Sequence, residues 1–198
     1  MVHFRSVAPL SNVPRVLTAV GTAVLIVSVA APTRAQDVMT KDSVASLKTS
    51  FVADLDTLHQ KFLGLAQAFP PDKYTWRPMD GVRSVSEVLM LAAMEGYSFI
   101  PNSFGAKPAD LGSRDEMAKL RTLSDKTQVI DHLNKGFAHA KRELEALDPG
   151  TLTAKRKVMG QDRSAADVVL FIGGDLHEHL GQLIAYARTN HIVPPWSK

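Results

Sequence analysis

The densest set of chemically capable side chains in this 198-residue sequence is Asp175, His177, Glu178 and His179. Carboxylates and imidazoles are ligands for divalent metals and common proton carriers in catalysis. On a helix the four do not act together. Asp175 and His179 are one turn apart and share a face, with Glu178 beside them. His177 lies about 160° around the helix from His179, at about 100° per residue. One metal ion cannot easily take both histidines. The zinc-protease pattern H-E-x-x-H fails as well, because Gly181 stands where its second histidine belongs.

Metal sites in helical bundles draw carboxylates and histidines from facing helices. Glu95 is the natural opposing acid, and with Asp175 and His179 it makes a three-ligand site. His177 and Glu178 are then accessory candidates for proton transfer, and no residue is assigned a catalytic role. The competing reading is structural: Asp175 and His179 hydrogen-bond each other in the core, and Glu95 pairs locally. His59, His132 and His139 flank core stripes and read as structural, while His191 lies beyond the last helix. Trp76 and Trp196 read as packing anchors for a connector and the tail.

The elements that must position these groups are helices. The first is predicted over about 42–68. Val44, Leu47, Phe51, Leu55, Leu58, Phe62, Leu65 and Phe69 recur there at spacings of three and four. Pro70-Pro71 stops it. The second opens with a capping box, Ser84 and Glu87, and ends before Pro101. It is apolar nearly all round and therefore central. A short helix over 115–120 follows a second capping box, Ser113 and Glu116. The third long helix spans about 126–147 on the stripe Val129, Leu133, Phe137, Ala140 and Leu144. The fourth follows Ser164, with Asp167 in the capping-box place, and runs to about Thr189, with Asn190 as a left-handed cap. Gly173-Gly174 in its middle points to close approach of another helix or of a bound group. No strand alternation is visible. The fold class is all-α, a four-helix bundle over 36–198.

Residues 1–35 read as a signal peptide. Arg5 and Arg15 precede an apolar run over 16–31, and small residues lead to a cut after Ala35. The run is short of the roughly 20 residues a membrane span needs. A membrane association is expected only if the segment stays uncleaved. Cleavage removes Arg5, Arg15 and Arg34, so the formal charge of +3 falls to zero against 20 acidic residues. The basicity thus belongs to the targeting segment, and no nucleic-acid partner is expected. The absence of cysteine excludes a disulfide framework and a thiol nucleophile.

Two segments, FPPDKYTWRPMDGVRSVSEVLMLAA (69–93) and DLHEHLGQLIAYARTNHIVPPWS (175–197), resemble the DinB-like superfamily of metalloenzymes, the YfiT-like bundles included. The resemblance implies a four-helix bundle with a divalent-metal site of three histidines. One would come from the second helix and two, spaced H-x-x-x-H, from the fourth. Members resemble metal-dependent transferases or isomerases that use a low-molecular-weight thiol. The family pattern S-V-x-E-V-L-x-H places the first ligand on Leu91, and the fourth-helix pair falls on Asp175 and His179. One ligand is thus absent, one is exchanged for a carboxylate and one is kept. Glu95, one turn beyond Leu91, stands about 6 Å further along the axis.

The functional expectation is an exported DinB-like domain with a lost or altered metal site. It would bind a small apolar or amphipathic molecule, in a pocket made greasier by Leu91, Met90 and Met94, or serve as an interaction module. The alternative is a transferase or hydrolase dependent on nickel, zinc or iron held by Asp175, His179 and Glu95. A homodimer is compatible with either.

Overall fold

A computed structural model describes residues 39–197 of the chain, so the signal-peptide reading of residues 1–35 lies outside the described residues. Helix α1 (Lys41–Ala68) starts where Thr40 accepts a hydrogen bond from the Ser43 amide at 3.2 Å. Its stripe Val44, Phe51, Leu55, Leu58, Phe62 and Leu65 is buried. The connector then folds back on it: the Tyr74 hydroxyl donates to the Ala66 carbonyl at 2.7 Å. The amides of Val85 and Ser86 bond the carbonyls of Trp76 and Tyr74, which fixes where the next helix begins.

Helix α2 (Val85–Met94) carries the expected capping box. Ser84 Oγ accepts from the Glu87 amide, and Glu87 Oε2 accepts from the Ser84 amide at 2.6 Å. Every residue of α2 is buried except Glu87 and Leu91. The helix does not end before Pro101. It passes through a π turn, Glu95–Phe99, into α3 (Ile100–Phe104). The extra residue of the π turn breaks the regular ladder, so Pro101 falls in the first turn of a restarted helix, where its missing N–H costs no bond.

Helix α4 (Arg114–Arg121) follows its predicted cap, Ser113, and helix α5 (Lys126–Ala146) starts where the Asp125 carboxylate accepts from the Gln128 amide at 2.9 Å. A short antiparallel hairpin comes next, β1 (Arg156–Val158) with β2 (Gln161–Arg163), in a register that pairs Val158 with Gln161. The sequence predicts no strand here. Three-residue strands of mostly charged side chains carry no alternation to read, and a Met159-Gly160 turn lacks the usual Asn-Gly signal. Both turn residues have positive φ, 51° and 77°.

Helix α6 (Ala165–Thr189) closes the bundle. Its left-handed cap is His191 (φ 58°), not Asn190 (φ −93°). The Ile192 amide reaches the Ala187 carbonyl and the His191 amide that of Arg188, the two bonds of a Schellman motif. That pattern needs the left-handed residue one place later than the asparagine. Helices α1 and α2 each pack on both α5 and α6, and α4 lies along α2. The result is the all-α bundle, with a core that includes Phe62, Tyr74, Leu89, Met90, Leu133 and Ile172. No described helix is long and apolar enough to cross a membrane.

Close helix approach occurs, but not at Gly173-Gly174. A Cβ added at Gly174 meets nothing within 4 Å, and one at Gly173 makes only ordinary contacts at 3.9 Å. The crowded pair is Gly96, in the π turn, and Gly136 of α5. A Cβ on Gly96 would lie 2.5 Å from the Gly136 carbonyl, and one on Gly136 would strike the Ala93 carbonyl. The backbones touch there because neither residue has a side chain.

Candidate metal centre

The π turn sets the position of Glu95. It is the first residue of that turn, and the Ile100 amide returns to its carbonyl across the widened ring. Such turns recur at functional sites because they re-aim a side chain without ending the helix. The Gly96–Gly136 contact presses this segment against α5. Across the bundle, α6 presents Asp175 and His179 one turn apart. His179 Nε2 lies 3.7 Å from Asp175 Oδ2 and 3.9 Å from Glu95 Oε1. One ligand atom from each of the three residues lies within 4.8 Å of the others.

The environment grades from dry to wet. The side chain of Glu95 is 8% exposed, that of His179 15% and that of Asp175 38%. Burial, and then the negative charge of Asp175, pushes the Glu95 carboxyl up to about 8, against a smaller downward pull from Arg83. Glu95 Oε2 is buried and has no hydrogen-bond partner. A buried carboxyl oxygen without a donor is costly, and native proteins rarely leave one. A cation between the three side chains would remove that cost. One imidazole and two carboxylates form a donor set that suits zinc, iron or nickel. The three residues therefore fit a divalent ion.

The structure does not bring the accessory candidates into this group. His177 is half exposed and sits 3.2 Å from Asp54 of α1. Glu178 is exposed. His59, His132 and His139 have structural partners. His59 bonds Asn134 at 2.8 Å and stacks on Phe137. His132 meets the Tyr97 hydroxyl at 3.1 Å, and His139 the Lys107 carbonyl at 3.1 Å. Trp76 packs edge-on against Tyr186, with ring centres 5.4 Å apart. Lys61 lies over the Trp196 ring.

Glu95 and Asp175 open into a cleft of about 830 Å³ between α2, α4, α6 and the tip of the β hairpin. Leu91, where the resemblance implies a ligand, lines it, and so does Met94. Met90 does not; it is fully buried in the core. The sequence reading missed the rest of the cleft. Arg77, Arg83, Met117, Arg121, Met159 and Phe171 come from segments far apart in the chain, and no spacing rule connects them. The amphipathic pattern of α4 is the one available hint, since Met117 and Leu120 are its two large apolar residues among charged ones.

A model of the DinB superfamily matches residues 54–183, and the chain belongs to that family. No curated protein and no solved structure matches it. The matched stretch begins within α1 and ends within α6, so it covers α2 and α5 whole, parts of α1 and α6, and the three grouped side chains.

Proposed function

We propose that this DinB-superfamily domain binds one divalent cation through Glu95, Asp175 and His179, and acts as a metal-dependent transferase or hydrolase on a small molecule admitted by the cleft. The observation that carries the reading is Glu95 Oε2: buried, without a donor, and beside a second carboxylate and an imidazole. The site is a reassembled one. The second-helix histidine position of the family holds Leu91, and Glu95 supplies a ligand one turn later.

Bound there, a divalent ion supplies Lewis acidity to an oxygen or sulfur atom of the substrate. The protein's own residues divide the remaining work. Asp175 and His179 are held in register by one turn of α6, and Glu95 by the π turn. Leu91, Met94 and Phe171 keep the inner cleft apolar and limit water. The cleft also supports the metal-free alternative of a small-ligand-binding bundle, and metal analysis separates the two. One equivalent of nickel, zinc or iron in the purified protein, lost in Glu95→Gln and in His179→Ala, is the expected result. A metal-free preparation whose melting temperature ignores all three ions overturns it.

The same reading has the protein exported, with residues 1–35 removed. Support comes from the order of Arg5, Arg15, the apolar run and the small residues before Ala35. Mass spectrometry of the exported fraction should find a chain beginning at Gln36. Full-length chain confined to the cytosol overturns this.

A further inference from the structure

We infer that the cleft beside Glu95 and Asp175 takes a small organic anion with an apolar body, its anionic head on Arg83 and Arg121 and its body against the methionine and phenylalanine walls. The inference rests in part on the metal reading above, because the charge balance of the cleft depends on it.

The charged groups that line the cleft are three arginines and three acids: Arg77, Arg83, Arg121, Glu87, Glu95 and Asp175. Arg77 and Glu87 pair with each other at 3.2 Å, and Arg77 is further tied to the Val82 carbonyl. A divalent ion would balance Glu95 and Asp175. Arg83 and Arg121 are then left over. Both are exposed, and neither guanidinium group has a hydrogen bond or ion pair among the described residues; the Tyr186 hydroxyl bonds the Arg83 carbonyl and not its side chain, and the pull of Arg83 on Glu95 acts without a contact. They enter from different elements, Arg83 from the turn before α2 and Arg121 from the last turn of α4. Two unpaired guanidinium groups facing one concavity attract anions and suit the planar oxygens of a carboxylate.

The remainder of the lining is apolar. Leu91 and Met94 lie on the α2 side. Phe99 and Phe171 meet edge to face with ring centres 6.2 Å apart, and the Arg163 guanidinium stacks on Phe171 at 4.5 Å, which ties the hairpin to this wall. Met159 borders the cleft from the hairpin tip, 71% exposed and in a left-handed conformation that few side chains adopt. Its side chain is not part of the core and is free to meet a ligand that enters the cleft. The volume falls within the range of small-molecule sites. A charged head alone would leave these walls wet, and a neutral apolar molecule would leave the arginines unanswered.

The test uses isothermal titration of the purified protein, zinc-loaded and zinc-free, with three probes: 4-phenylbutyrate, its neutral amide, and acetate. The carboxylate should bind the zinc-loaded protein at least about tenfold more tightly than either the amide or acetate. The variant R83Q/R121Q should bring carboxylate and amide within about twofold of each other while still holding one zinc. Three results overturn the inference. One is equal binding of carboxylate and amide. Another is a preference that survives in R83Q/R121Q, which would put the head on the ion alone. The last is no binding of either aryl probe by zinc-loaded protein at about 10 mM, weaker than any specific site. If the protein takes up no zinc, the metal reading fails by itself. The inference is then judged on the zinc-free protein, where an arginine-dependent preference upholds it and the lack of one ends it.

Discussion

Glu95 Oε1 stands 3.9 Å from His179 Nε2, so a π turn on one helix and the regular second face of another meet at a single point. Of the two, only His179 falls where the resemblance to the family implies a ligand. The consequence is a site whose stability and function pull in opposite directions. Glu95→Gln removes a buried carboxyl that faces Asp175 and replaces it with a neutral group of the same shape. Without metal, the variant should be more stable than the parent by about 1–2 kcal/mol at neutral pH. With saturating zinc the order should reverse, because only the parent gains binding energy from the ion. Chemical denaturation with EDTA and with zinc reads both signs. A variant less stable than the parent in EDTA would show that Glu95 is a structural acid.

Much of the fold was legible because it rests on local rules. Ser84 with Glu87, Ser113 with Glu116 and Ser164 with Asp167 all form the capping boxes their spacing announces. The stripes of α1 and α5 bury the residues expected of them, except Leu47, which is only partly buried. What was not legible depends on tertiary context. The π turn leaves no periodic mark; Pro101 reads as a stop until the turn before it is seen. The choice of His191 over Asn190 as the left-handed residue was decided by where the final carbonyls of α6 find donors. At the site, Glu95, Asp175 and His179 could be named from type and helix face. The arginines of the cleft could not, since nothing in a sequence brings Arg83 and Arg121 to one wall.

Gly136 gives a mechanical test of that arrangement. A Cβ at this position strikes the Ala93 carbonyl, two residues before Glu95. Gly136→Ala should push α5 and the π-turn segment apart, at a cost of about 1–3 kcal/mol as in other overpacked cores. Zinc affinity should fall even though no ligand is touched. Denaturant midpoints and zinc titration together check this. A destabilised variant with unchanged zinc affinity would mean that the Gly96–Gly136 contact does not position Glu95.

Gly174 makes the opposite prediction. It lies in the middle of α6, and a side chain there would meet open space. Gly174→Ala should stabilise the protein by about 0.5–1 kcal/mol through helix propensity alone. The thermal midpoint should rise while zinc binding stays the same. A loss of stability or of zinc would indicate that the glycine serves a bound group after all.

The cap of α2 sets a pH dependence. The Ser84 amide, and then the Arg77 guanidinium, hold the Glu87 carboxyl below its usual range. A carboxyl whose folded pKa is depressed binds fewer protons in the folded state than in the unfolded one. Its stabilisation is therefore complete above the ordinary glutamate range near 4.5 and is lost as the pH falls through the depressed value. Glu87→Gln should cost about 1 kcal/mol at pH 7, the usual worth of a capping interaction, and little at pH 3. Urea denaturation at the two pH values measures the difference. A cost that does not shrink in acid would trace the effect to lost packing rather than to the charge.

Leu91→His restores the ligand that the family pattern places on the second helix. Leu91 is one turn before Glu95, is partly exposed, and lines the same cleft as Glu95 and Asp175. An imidazole there would add a nitrogen donor to the existing set and bring the coordination closer to the four ligands that zinc favours. The variant should still bind one zinc, at least about tenfold more tightly than the parent, with a folding cost no larger than about 1–2 kcal/mol for a half-buried leucine. Combined with Glu95→Gln, it should recover much of the zinc binding that the single Glu95 variant loses. Competition titration against a chromophoric chelator gives both affinities. A second equivalent of zinc, or no gain at all, would mean that position 91 and the Glu95–Asp175–His179 group face different ions or none, and the site would then not descend from the family's own by a one-turn shift of a ligand.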